Sequence, residues 1–151
     1  MPIQAYLPFG YQLRRAQYAY RLALDRALDS LGVTAPQFAA LALLQAKPGL
    51  SNAELARQSL ITPQTMNVIV RRLRAAGLVE CSPHPEHGRI LRVRLTAAGQ
   101  AVLADCLRRA AAVEASLLDA FDAAEQPRLL AALTRVGDAL GGPSSEPRVR
   151  A

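Results

Sequence analysis

The strongest constraint on the fold is the way helix starts and stops are punctuated between Thr34 and Gly77. Val33-Thr34-Ala35-Pro36-Gln37-Phe38 has the grammar of a helix start. Thr34 serves as N-cap, Gln37 closes a capping box three residues on, and Val33 with Phe38 forms a hydrophobic staple. The helix so opened runs to about Ala46 and stops at Lys47-Pro48-Gly49. The grammar recurs at Leu50-Ser51-Asn52-Ala53-Glu54-Leu55, with Ser51 and Glu54 as the box and Leu50 and Leu55 as the staple. This next helix reaches only Gln58 or Ser59, because Thr62-Pro63 supplies another N-cap followed by proline at the first helical position, where its missing N–H costs nothing. A further helix then runs from Pro63 to Ala76 and ends at Gly77.

After Gly77 the apolar period changes from helical to alternating, in Leu78-Val79-Glu80-Cys81 and again in Ile90-Leu91-Arg92-Val93-Arg94-Leu95. Ser82 to Arg89, with two prolines and a glycine, lie between, which predicts a two-stranded hairpin with a long polar tip. Upstream, apolar residues from Tyr11 to Leu31 recur at helical spacing, and Gly32 ends that helix. Downstream, Thr96 caps a helix through about Leu118, and Asp122 with Glu125 caps another toward Leu140, with Pro127 near its start. Gly141-Gly142-Pro143 then opens a tail over 141–151 that reads as disordered. The expected fold is mainly α with a small β-hairpin wing, a single domain over 1–151 that contains a winged helix-turn-helix at 34–96.

At 151 residues the chain suits one domain, and chains of this size often extend their core by pairing with a second copy. The net charge of +6 points to a polyanionic partner. It is concentrated over 51–96, which hold seven arginines against three acids, whereas 97–151 hold six against seven. Lys47 is the single lysine, a bias that a GC-rich coding sequence explains as readily as a need for bidentate donors. Cys81 and Cys106 form neither a CxxC nor a disulfide framework. Met1 to Gln12 lacks the basic and then apolar pattern of a secretory signal, and no run of uncharged apolar residues is long enough to span a bilayer. A soluble protein of the cytoplasm is expected, with no membrane partner.

The register of the helix from Pro63 identifies its working face. Met66, Ile69, Val70 and Leu73 follow the core-facing rule, which places Gln64, Val68, Arg71 and Ala75 on the opposite side, flanked by Asn67 and Arg72. Amides pair bidentately with adenine, arginine with guanine, and an apolar group meets the thymine methyl, so this face matches the needs of base edges in double-stranded DNA. Thr62 and Thr65, with the N–H groups of the helix start, suit a phosphate oxygen. At the hairpin tip, His84-Pro85-Glu86-His87-Gly88-Arg89 ends in a guanidinium that fits a narrow minor groove, and Arg92 and Arg94 share one face of the second strand.

An enzyme is not expected. The chain has no GxSxG, HExxH or Gly-rich phosphate loop, and its two histidines are confined to the hairpin tip. His84-x-x-His87 with Glu86 makes an incomplete metal site, so neither metal nor cofactor is expected. Cys81 and Cys106 read as small apolar residues, with redox sensing as the alternative.

The chain resembles the multiple-antibiotic-resistance regulator (MarR) family from its first helix to Leu140, most densely in LSNAELARQSLITPQTMNVIVRRLRAAGLVE and HGRILRVRLTAAGQ. The Leu-Thr-x-x-Gly ending at Gly99 is the more specific mark. The resemblance implies a homodimer joined through helices in 1–31 and 97–140, acting as a repressor that a small aromatic or anionic ligand releases from a pseudo-palindromic operator. It implies that Arg89 is the wing-tip arginine, at the end of the family's Asp-x-Arg tip. Here His87 stands where the family has the acidic residue that orients the arginine, which would open the wing contact to pH. It also implies a ligand crevice between dimerisation helices and winged region, for which Tyr6, Phe9, Tyr11, Arg14 and Phe38 are the candidate lining residues, with dimer core as the alternative role for the aromatic ones.

Overall fold

The computed structural model describes residues 5–142, and the chain divides into two compact units, 1–113 and 114–151. In the first, helix α1 (Pro8–Leu28) continues through a single 3-10 turn (Asp29–Leu31) to Gly32, whose φ of +66° stops it. Helix α2 (Ala35–Ala46) carries the expected capping box: Thr34 Oγ1 accepts from the Gln37 N–H, and the Gln37 side chain accepts from the Thr34 N–H at 2.9 Å. Its first residue is tied to α1 as well, since the Ala35 N–H donates to Asp25 Oδ1 at 2.7 Å.

Helix α3 (Asn52–Gln58) opens on the second box. Ser51 N–H and Oγ both donate to Glu54 Oε2 at 2.8 Å, and Ser51 Oγ also accepts from the Glu54 N–H. The Ser51 bonds, backbone first and hydroxyl second, hold the Glu54 carboxyl below its ordinary value of 4.5, aided by Arg57 and Arg92 against the opposing effect of burial. A carboxyl depressed in the folded state adds stability above its unfolded pKa, and that stability disappears as pH falls through the folded value. Ser51→Ala is therefore expected to cost about 1 kcal/mol at neutral pH and to flatten the fall in stability below pH 4.5, as read by urea unfolding at stepped pH.

Between α3 and α4 (Pro63–Ala75) the turn passes through Leu60, an exposed residue at φ +59°. A left-handed backbone costs a branched side chain about 1 kcal/mol or more, and here no burial of the side chain offsets it. Leu60→Gly is expected to raise stability by about 1 kcal/mol, seen as a higher urea midpoint with an unchanged slope.

Strands β2 (Val79–Pro83) and β3 (Leu91–Leu95) form the hairpin, antiparallel with Cys81 opposite Val93. The sheet has three strands rather than the expected two, because β1 (Leu50–Ser51) pairs with the free edge of β3. Two residues are too few to show an alternating pattern. The Ser51 cap holds them extended, and the Gly49 N–H adds a bond to Val93 O at 3.0 Å.

Helix α5 (Ala97–Leu118) begins after Thr96, and α6 (Glu125–Ala139) after a cap in which Asp122 accepts from the Ala124 and Glu125 N–H groups. Pro127 sits in the first turn of α6, where no N–H is needed. The expected tail lies, from residue 143, outside the described residues. The core of the first unit is apolar throughout: Leu28, Leu41, Leu44, Leu55, Met66, Leu73, Val93, Leu103 and Cys106 are its largest fully buried side chains. In the second unit no described residue of α6 is buried.

Candidate nucleic-acid interface

Helix α4 rests on the core through Met66, Ile69 and Leu73, which are buried, and Val70, which is half-buried. That register exposes the opposite side: Gln64, Asn67, Val68, Arg71 and Arg72 all face solvent, Val68 at 45%. The polar ends of Gln64, Asn67, Arg71 and Arg72 have no hydrogen-bond partner among the described residues, so four side chains of the types that can pair with base edges or phosphates stand uncommitted on one face.

The helix start differs in detail from the expectation of several open N–H groups around Thr65. Thr62 Oγ1 accepts from the Thr65 N–H at 3.1 Å and lies 2.9 Å from Thr65 Oγ1, so the two exposed hydroxyls bond each other. Pro63 has no N–H, and the Met66 N–H bonds to Thr62 O. Gln64 therefore holds the one uncommitted backbone donor of the first turn. Any phosphate there meets the Gln64 N–H and the paired Thr62 and Thr65 hydroxyls rather than a ring of free amides. Asn52 anchors this start to α3, donating from Nδ2 to Pro63 O at 3.2 Å.

The wing carries Arg89 at its tip, exposed and without a hydrogen-bond partner among the described residues. His87, at the orienting position, offers it no side-chain hydrogen bond. The His87 backbone oxygen accepts from Ile90 N–H, and its ring lies 5.2 Å from that of His84. The arginine that is held is Arg92, one of the two on the shared face of β3, and its partner is what spacing does not show. Arg92 Nη2 lies 2.6 Å from His84 Nε2, across the two strands.

The Leu-Thr-x-x-Gly pattern acquires a physical reason at the base of the wing. Thr96 donates its hydroxyl to Gly77 O at 2.6 Å, accepts from the Gly99 N–H at 3.0 Å, and donates its own N–H to Leu78 O at 3.1 Å. A Cβ on Gly99 would fall 2.0 Å from Leu78 O, so only glycine lets the first turn of α5 seat against the end of α4. This clasp fixes the wing relative to α4.

Other candidates separate. Tyr6 and Phe9 are exposed at 67% each, Arg14 is exposed and Tyr11 half-buried, all at the N-terminal end of the chain. Phe38 instead packs against two buried clusters, one of them Leu24, Ala35 and Ala110. A shallow depression of about 290 Å³ beside Asp25, Arg26 and Asp29 includes none of the five. Burial, then Asp105, push the Cys106 thiol up, which keeps it protonated and unreactive at neutral pH. No group of three His, Cys, Asp or Glu among the described residues is placed to hold a metal, and no single described helix is long and apolar enough to cross a membrane.

Residues 31–90 match the family model described as MarR family. The HTH-type transcriptional repressor Rv2887 of Mycobacterium tuberculosis is 38% identical over 130 residues, covering 86% of this chain and 94% of that one. The chain belongs to the MarR family. MarR proteins are transcriptional regulators rather than enzymes, and the winged helix-turn-helix described above is their fold. Two solved structures of the M. tuberculosis MarR family protein Rv2887 superpose on this chain. The complex with salicylic acid gives a TM-score of 0.70 at 38% identity, covering 86% of this chain and 96% of that one. The complex with DNA gives 0.71 at 36% identity, covering 86% and 98%.

Proposed function

We propose that this MarR-family chain is a cytoplasmic homodimeric repressor that binds a pseudo-palindromic operator in double-stranded DNA and releases it on binding a small aromatic anion. The observation that carries the DNA reading is the face of α4: uncommitted Gln64, Asn67, Arg71 and Arg72 around Val68. Thr62, Gln64 and Thr65 take phosphate or base edge at the helix start, and Arg89 takes the minor groove. The winged region is 34–96, with 1–31 and 97–140 serving dimerisation.

Support for the dimer comes from apolar surface without a partner in one chain. Leu7 and Tyr18 on or before α1, Leu107 and Leu117 on α5, and Leu130 and Leu133 on α6 are all exposed. Two copies related by a two-fold axis set their α4 helices about one duplex turn apart, which calls for two half-sites at that spacing.

The effector reading rests on the Rv2887 complex with salicylic acid and on the aromatic residues near the chain's start, Tyr6, Phe9 and Tyr11, with Arg14 as the anion's partner and Phe38 as an inner wall. Salicylate serves as the probe. Its addition to a complex with upstream DNA is expected to release the duplex in wild type and to fail in Arg14→Ala, as read by fluorescence anisotropy. Release that is identical in Arg14→Ala places the anion elsewhere, and no release at millimolar salicylate removes this class of effector.

A further inference from the structure

The outer face of the wing gathers more hydrogen-bond donors than acceptors. Neutral imidazole has one ring lone pair for accepting, yet His84 is approached by two donors: the Glu86 N–H at 3.1 Å from Nδ1, and Arg92 Nη2 at 2.6 Å from Nε2. Whichever tautomer the ring adopts, its own N–H faces another donor. Arg94 adds a second guanidinium. A methyl built on Gly49 would stand 3.4 Å from Arg94 Nη2 and 3.6 Å from Arg92 Cδ, so both arginines cross over that glycine side by side. Three acidic residues are near, and Glu86, two residues from His84, forms no ion pair with Arg92 or Arg94 among the described residues. Glu80 sits opposite Arg94 in the ladder, and Glu54 is lowered by the charge of Arg92, but neither forms an ion pair with these arginines among the described residues.

We infer that His84, Arg92 and Arg94 form a phosphate clamp on the outer face of the wing, one that grips the DNA backbone beside the minor groove that Arg89 enters. An oxyanion seated against Arg92 and His84 supplies the lone pairs that the cluster lacks, with charge-assisted bonds from both. The DNA backbone is the occupant that the site's surroundings favour. The cluster lies on the strand that leads away from Arg89, and the Ser51–Arg92–Ser82 row of the sheet places it beside the start of α3. This inference rests on the DNA-binding reading. It assigns Arg92 and Arg94 to affinity, and leaves specificity to α4.

The test compares wild type with Arg92→Gln and Arg94→Gln on operator and scrambled duplexes over a salt series. Each variant is expected to weaken both duplexes by a similar factor, roughly tenfold, and to lower the salt slope by about one per chain. With single methylphosphonates walked along the strands that flank the minor groove, wild type is expected to lose affinity at one position per half-site, and Arg92→Gln to be indifferent there. His84→Phe should lose part of the same sensitivity, and His84→Gln, which keeps a side-chain N–H, should restore it. Thermal unfolding of each variant at the wild-type midpoint confines the effect to binding. An Arg92→Gln slope and affinity equal to wild type, or a loss confined to one operator base pair, overturns the clamp while leaving the DNA reading intact. A wild type that binds no duplex at low salt overturns both.

Discussion

Gly99→Ala is expected to destabilise the protein by about 3 kcal/mol or more, a substantial part of the stability of a domain of this size. The added methyl meets Leu78 O at 2.0 Å and Leu78 C at 3.0 Å, backbone atoms that no rotamer change can move aside. Relief requires α5 to lift from the end of α4, which breaks the Thr96 bonds to Gly77 O and to the Gly99 N–H. Urea unfolding measures the loss. Thr96→Val is the milder probe of the same clasp, expected to cost about 1–2 kcal/mol through the two side-chain bonds alone. Gly10→Ala is the contrast. It lies inside α1 with nothing within 4 Å of the added carbon, and is expected to stabilise by about 0.5–1 kcal/mol. Equal effects at the two glycines would refute the clasp.

Arg71→Ala is expected to weaken operator binding by about 1–3 kcal/mol per half-site, with both half-sites of a dimer affected. The guanidinium stands on the exposed side of α4, free of any partner among the described residues, and α4 is held by three buried side chains that the substitution does not touch. Folding should therefore be preserved. The decisive detail is where the loss falls: if Arg71 pairs with a guanine, the variant tolerates any base at one position per half-site and keeps its preferences elsewhere. A loss shared equally by every operator variant reassigns Arg71 to the phosphate backbone.

The parts of this molecule that sequence reasoning captures are those set by short-range chemistry. Both capping boxes, the Pro63 start of α4 and the Gly32 and Gly77 stops depend on residues at most a few positions apart, and all stand where their spacing predicts. The buried stripe of α4 is a period, legible for the same reason. What escapes is set by distant partners. β1 exists because the edge of β3 passes by, and Gly99 is required because Leu78 O lies under it. His84 and Arg92 read separately as a loop histidine and a strand arginine, and only the hairpin register brings them together. Thr65 was legible as a polar residue at a helix start, but its hydroxyl's pairing with Thr62 depends on rotamers that spacing does not fix.

Specific reading of duplex DNA by a dimer is measured first by a salt series of fluorescence-anisotropy titrations. The protein is titrated against its own upstream DNA and against a scrambled duplex of equal length. A dimer that reads specific DNA binds the upstream duplex tightly at two chains per site, binds the scrambled one much more weakly, and loses affinity steeply as salt rises. Equal affinity for the two duplexes at every salt concentration, with the operator region covered by overlapping probes, would contradict specific reading.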